Sequence, residues 1–252
     1  YFNVAVFDTS FTGGQTWQKF EREIDLNVTL GEECCCFKTS PSVTVSPCKH
    51  QVILQGFGPG NCSNLVLLYG NRKTRVLKAQ GRSESLQVGG IGSSLVAFPT
   101  AFSKCAANTS NSSFFLYTFG GCIWLNDEFC NTPSNVLSRL HVQDYDVGHW
   151  QVIQPSDMVT PQPRRFARLF VDDNKILFVG GWKMLEGVAD TVTLDLWKFD
   201  TISLTWMEVN NTFQGPMNLL TSSFESSYLA LQKTLVIRPN NKPIAITVLS
   251  DV

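Results

Sequence analysis

Asn174-Lys-Ile-Leu-Phe-Val-Gly-Gly181 and Ser113-Phe-Phe-Leu-Tyr-Thr-Phe-Gly-Gly121 decide how the chain is read. Each is an apolar run that reads as a strand stopped by a glycine pair. The two pairs stand 60 residues apart. A loop follows each, then a strand ending in aromatic-Asp, a turn and a tryptophan. The first set is Tyr145-Asp146 with Trp150, the second Phe199-Asp200 with Trp206. Self-similarity at a fixed spacing is the mark of repeated supersecondary units.

Weaker copies extend outward. Phe7-Asp8 followed by Trp17 repeats the ending near the start of the chain. Gln51-Val-Ile-Leu-Gln-Gly-Phe-Gly58 is a strand-plus-glycine element about 64 residues before Gly120, and its following strand, Asn64 to Tyr69, lacks the Asp and the Trp. Thr234-Leu-Val-Ile-Arg-Pro239 sits where a glycine pair would fall, and Ile244 to Asp251 matches the strand that ends at Asp200.

The best copy predicts four strands: Arg165 to Val171, Lys175 to Val179, Thr191 to Phe199 and Thr205 to Val209. Its inner strands are nearly continuous Val/Ile/Leu/Phe, as expected for strands covered on both faces. Gly180-Gly181 and Gly120-Gly121 relax the backbone where the inner strand leaves a crowded centre. Trp17, Trp150 and Trp206 are plates large enough to fill gaps between neighbouring sheets. The Asp before each turn can cap it through side-chain to backbone bonds.

Such units cannot bury both faces alone and must stack. The expected fold is all-β, a β-propeller of four-stranded antiparallel blades. About four blades' worth lie in residues 1–252 as one domain. The units run roughly 1–22 (the end of a blade), 30–80, 92–154, 163–210 and 219–252 (incomplete). A β-sandwich would instead space its turns every ~8–12 residues without the longer period. No long window shows helical periodicity, so helices should be nearly absent.

Residues 95–210 resemble the Kelch-repeat family. The resemblance is carried by Pro163-Arg-Arg-Phe-Ala-Arg-Leu-Phe-Val171 running into Ile176-Leu-Phe-Val-Gly-Gly181, then Leu196-Trp-Lys-Phe-Asp200 and Thr205-Trp206. The copy with Gly120-Gly121, Tyr145 and Trp150 agrees. Phe166-Ala167 stands where the family usually has a histidine. The resemblance implies a closed ring with more blades than the chain holds, completed by further sequence or by other chains; a self-contained four-bladed ring is the alternative. Tyr1 and Val252 both fall inside apparent strands, and no initiator Met or signal peptide precedes them, so the chain reads as a processed or excised piece.

Cysteines and sequons point to a compartment. Cys34, Cys35, Cys36, Cys48, Cys62, Cys105, Cys122 and Cys130 make an even set of eight, as disulfides require. Cys122 and Cys130 bracket one loop and are the expected local pair. Three adjacent cysteines cannot bond one another without strain, so Cys34, Cys35 and Cys36 should reach separate partners. Zinc would want paired knuckles, and no C-x2-C occurs. N-x-S/T sequons begin at Asn27, Asn61, Asn108, Asn111 and Asn210, all in segments that read as turns or strand ends. Together these features predict an extracellular glycoprotein, secreted or the ectodomain of a membrane protein.

Composition narrows the function. Lys+Arg number 20 against 21 Asp+Glu, and charged residues make up 16% of the chain, below the roughly 25% of average proteins. There is no basic excess for nucleic acid. No apolar run approaches the ~20 residues of a membrane-spanning helix. A copper radical oxidase like galactose oxidase would need two His and two Tyr with a Cys. His50, His141 and His149 are the only histidines, and they read as strand and turn residues. Ser10-Phe-Thr-Gly-Gly-Gln-Thr-Trp17 nearly matches a sialidase Asp-box, with Thr12 in place of the Asp, but such boxes are structural turns. Arg164-Arg165 alone does not make a sialidase's arginine triad. Asp172-Asp173 reads as a hairpin. No phosphate loop or hydrolase elbow occurs, and Gly89-Gly-Ile-Gly92 precedes no helical pattern.

A binding surface remains. Loops 56–64, 122–135, 155–165, 182–190 and 239–242 should gather at one end of the sheets, carrying Trp124, Arg164, Arg165, Trp182, Lys183 and Met184. Exposed Trp and Arg are favoured interface anchors. The expectation is a protein- or glycan-binding module with neither catalysis nor cofactor. Its partners are a protein or glycan, its own missing blades or other subunits. The alternatives are a subunit of a surface or filament assembly, or a propeller enzyme of galactose-oxidase or sialidase type.

Overall fold

The computed structural model describes residues 42–46, 52–55, 65–70, 73–79, 92–100, 113–123, 132–143, 146–183, 191–209, 224–229, 234–239 and 244–247. Among these residues there is no helix, and every strand pairing is antiparallel. No helix among them is long and apolar enough to cross a membrane.

The strands form successive meanders. β1 (Ser42–Val45), β2 (Val52–Gln55), β3 (Leu65–Gly70) and β4 (Lys73–Lys78) make the first sheet, in chain order. β5 (Ser94–Pro99) and β6 (Ser113–Phe119) begin the second. A two-stranded ribbon of β7 (Cys122–Ile123) and β8 (Thr132–Pro133) interrupts it. β9 (Leu137–Gln143) continues it, paired with both β10 (Asp146–Val147) and β11 (Gln151–Val152). In the third sheet β12 (Arg164–Arg165) and β13 (Arg168–Asp172) both pair β14 (Lys175–Lys183), which pairs β15 (Thr191–Asp200), then β16 (Thr205–Val209). β17 (Phe224–Leu229), β18 (Thr234–Pro239) and β19 (Ile244–Thr247) form the fourth.

The sheets lie face to face because their middle strands are apolar on both sides. Successive side chains of a strand point to opposite faces, so an unbroken apolar run needs a neighbour on each. Ile176 and Phe178 of β14 join a core with Phe98, Phe119 and Leu137 of the second sheet. Val179 of β14, with Leu194 and Leu196, joins one with Leu235 of the fourth. The first and second sheets share a third core of Ile53, Val66 and Leu77 with Leu116, Leu140 and Trp150.

The first strands of the sheets stand side by side: β1 beside β5, β5 beside β13, and β13 beside β17. Hydroxyls stitch them together. Ser42 Oγ donates to the Ser93 carbonyl, and Ser94 Oγ donates to the Ala167 carbonyl. The Phe166 N–H donates to the carbonyl of Gly92.

Three details differ from the strands read in the sequence. β9 ends at Gln143, so Asp146, expected at the end of that strand, opens β10 instead. β14 does not stop at the glycine pair; it runs on to Lys183, with a register shift between Val179 and Gly181. Gly180 and Gly181 take φ of 56° and 107°, which lets the ladder bulge and continue. The expected strand Arg165 to Val171 is split into β12 and β13, because Phe166 turns to φ 57°. Asp200 caps the turn after β15: its Oδ1 accepts the N–H of Ile202 at 2.8 Å and of Ser203 at 2.9 Å. Asp172 pairs with Lys175 across a two-residue turn, with Asp173 at φ 53°.

Candidate functional site

One end of the third sheet carries most of the residues expected to bind. β12 pairs with the last residues of β14, so Arg164 faces Lys183 and Arg165 faces Trp182. The second sheet reaches the same place. The Gly121 N–H donates to the Arg164 carbonyl at 2.9 Å, and the Arg164 N–H donates to Ser134 at 3.2 Å. Gly120, at φ 67°, passes so close that a Cβ there would lie 2.5 Å from the Arg164 carbonyl oxygen. Segments 120–123, 132–135, 162–166 and 182–183 are therefore brought together at one end.

Arg164 does not belong to the exposed surface where the sequence placed it. It is 1% exposed and held by a planar set of contacts. Nη1 and Nη2 donate to the two carboxylate oxygens of Asp195 at 2.5 and 2.8 Å. Nε donates to the Gln162 carbonyl at 3.0 Å, and Nη1 also to that of Gly180 at 3.2 Å. The guanidinium lies 5.0 Å from the centre of the Phe178 ring. Such a fork can hold a buried carboxylate at two points, which an ammonium cannot. Asp195 also accepts Thr193 Oγ1 and Trp197 Nε1, each at 2.9 Å, and lies 3.6 Å from Lys183 Nζ. Burial pushes its pKa up, but the Arg164 hydrogen bonds and charge, with Trp197 and Thr193, outweigh that and bring it down to about 2. Arg164 is therefore a structural pin that fixes β12 to the glycine bulge of β14 and to β15.

Its neighbour faces the other way, as alternation along a strand requires. The Arg165 guanidinium lies 5.7 Å from the centre of the Trp182 ring and 5.5 Å from that of Phe166. Phe166 is 41% exposed and non-glycine at φ 57°, a conformation that costs ~1–3 kcal/mol and survives only where its surroundings impose it. The imposing contacts are its bond to Gly92 and the absence of a side chain there. A Cβ on Gly92 would sit 3.0 Å from both Arg165 Cβ and the Phe166 ring. Trp182 and Lys183 are half-buried at the rim of this stack.

Beside it lies a groove of about 730 Å3, lined by β1, by β5 with Gly92 and Ser93, and by 166–171. Val43 and Val45 stand 54% and 52% exposed in its wall. Among the described residues that line it, Arg168 is the charged one.

The other expected residues are placed as follows. Trp150 and Trp206 are buried between sheets. His141 is half-buried in β9, with Nε2 2.7 Å from Ser113 Oγ and its ring 4.9 Å from that of Phe115; His149 is exposed. No group of three His, Cys, Asp or Glu that could hold a metal occurs among the described residues. Trp17, Trp124, His50, Asn27, Asn61, Asn108, Asn111, Asn210, Cys34, Cys35, Cys36, Cys48, Cys62, Cys105 and Cys130 lie outside the described residues. Cys122 is described only in its backbone, which pairs with Pro133.

Asp195, Trp197, Phe166 and Gly92 escaped the sequence reading. Asp195 had left a signal: a carboxylate between Leu194 and Leu196 in an apolar strand must find a buried cation. Phe166 left none, because its exposure depends on a φ that only the folded neighbours impose. No protein-family model matches this chain, and no curated protein matches its sequence.

Proposed function

We propose that the chain is a Kelch-like β-propeller unit of an extracellular glycoprotein, and that it binds a protein or glycan partner without chemistry of its own. Support for the architecture comes from the serial meanders, the three inter-sheet cores and the adjacent first strands. The observation that carries the binding reading is the stack of Trp182, Arg165 and exposed Phe166, built over the buried Arg164–Asp195 pair. A rigid aromatic and guanidinium surface buries area on binding with little loss of side-chain freedom.

The test is direct. Labelled protein is presented to printed oligosaccharides and to surface-protein ectodomains, wild type beside Trp182→Ala and Arg165→Ala. A partner whose binding falls at least tenfold in both variants, at unchanged melting temperature, is expected. Stoichiometric copper in the purified protein, or hydrolysis of a glycan substrate, would overturn the reading.

A further inference from the structure

We infer that the interface of the first and second sheets is a binding site for one internal water molecule, which bridges Ser138 Oγ and Trp150 Nε1.

Buried polar groups almost always have a hydrogen-bond partner, and one that lacks it marks a place where a water belongs. Two such atoms stand in this interface. Ser138 is 0% exposed and Trp150 8%. Neither Ser138 Oγ nor Trp150 Nε1 meets a hydrogen-bond partner among the described residues. A serine hydroxyl donates and accepts, whereas an indole N–H only donates.

The register makes them neighbours. Ser138 shares its face of β9 with Leu140 and Val142, because alternate residues of a strand point the same way. Leu140, Val142 and Trp150 belong to the core that joins the first and second sheets. β11 pairs Gln151 with Arg139 and Val152 with Ser138, so Trp150, one residue earlier, comes opposite Leu140. Trp150 and Ser138 are therefore diagonal across two strands. Such diagonals are ~7–8 Å apart, within the reach of an aromatic side chain. The two polar atoms do not bond directly. A bridging water lengthens the link by one more hydrogen bond at little loss of strength.

The surroundings complete the water's coordination. Thr118, also buried, stands directly opposite Ser138 on β6. Its Oγ1 donates to Ser93 Oγ at 3.3 Å and can still accept. Ser93 Oγ lies in turn 3.3 Å from Ser42 Oγ of the first sheet. These hydroxyls form a polar strip at one end of a core otherwise built from residues such as Ile53, Val66, Leu116 and Leu140. A water beside Ser138 donates to Ser138 Oγ and Thr118 Oγ1 and accepts the Trp150 N–H. Three bonds is the usual complement of an internal water. A cation does not suit the place, because the indole turns its hydrogen toward it.

Oxygen-17 magnetic relaxation dispersion of the purified chain counts the waters held for longer than nanoseconds. Ser138→Val puts methyl groups where the hydroxyl and its water stand and keeps a residue suited to a strand. Trp150→Phe removes the N–H. Each variant should hold one long-lived water fewer than wild type. A crystal structure of the wild-type chain should show a density peak within ~3.2 Å of both Ser138 Oγ and Trp150 Nε1. The inference is overturned if both variants hold as many such waters as wild type, if the crystal shows the two atoms bonded directly, or if no peak lies between them. Should a variant fail to fold, the wild-type crystal structure decides alone.

Discussion

The indole of Trp206 stands edge-on to Phe119, 5.5 Å between ring centroids and 71° between planes, although the two belong to different sheets. It also meets Phe178 at 5.9 Å and Phe199 at 4.9 Å. Trp206 therefore does its packing across the boundary between the second and third sheets. Trp206→Ala should cost ~3–5 kcal/mol, and Trp206→Phe markedly less. Urea denaturation followed by circular dichroism measures both; a loss under ~1 kcal/mol for the alanine variant would contradict interface packing.

Gly120 and Gly148 separate close approach from mere glycine content. Gly120→Ala drives a Cβ to 2.5 Å from the Arg164 carbonyl and holds a side chain at φ 67°. Gly148→Ala meets nothing nearer than 4.0 Å. The first should lower the melting temperature by several degrees or prevent folding; the second should leave it within experimental error. Scanning calorimetry of the pair gives the answer.

Arg164 and Asp195 should show strong coupling. Either Arg164→Met or Asp195→Ala strands a buried charge, at a cost of ~3–5 kcal/mol. The double variant Arg164→Met/Asp195→Ala should cost less than the sum of the singles. Additive losses in a double-mutant cycle would mean that the two side chains act independently.

Acid should weaken the same pair. Asp195 has its pKa lowered from the ordinary 3.8 to about 2. Its contribution is complete above the unfolded value, near pH 4, and is lost as pH falls toward 2. The difference is worth about 2 kcal/mol. Asp200 acts in the same direction, its pKa lowered first by the Ser203 backbone N–H. Unfolding free energy measured between pH 5 and pH 2 should fall, and Asp195→Asn should be less stable at pH 5 yet shallower in slope across that window.

Much of the strand pattern was legible because it depends on local arithmetic. Apolar runs such as Ile176 to Val179 demand burial on both faces, and Asp200 before Thr201 announces a cap. What escaped depends on contacts distant in sequence. Arg164 and Arg165 are adjacent and chemically alike, and nothing local tells which one is buried; Asp195, 31 residues on, decides it. The continuation of β14 through Gly180-Gly181 was hidden for the same reason. A glycine pair signals a stop and a bulge equally, and the choice comes from the pairing of Trp182 and Lys183 with β15 and β12.

The backbone bonds of Gly121 and Ser134 to Arg164, with the Arg164–Asp195 fork, tie the second sheet to the third at this end. A load on Trp182 or Lys183 is therefore shared between two sheets rather than bent into one edge.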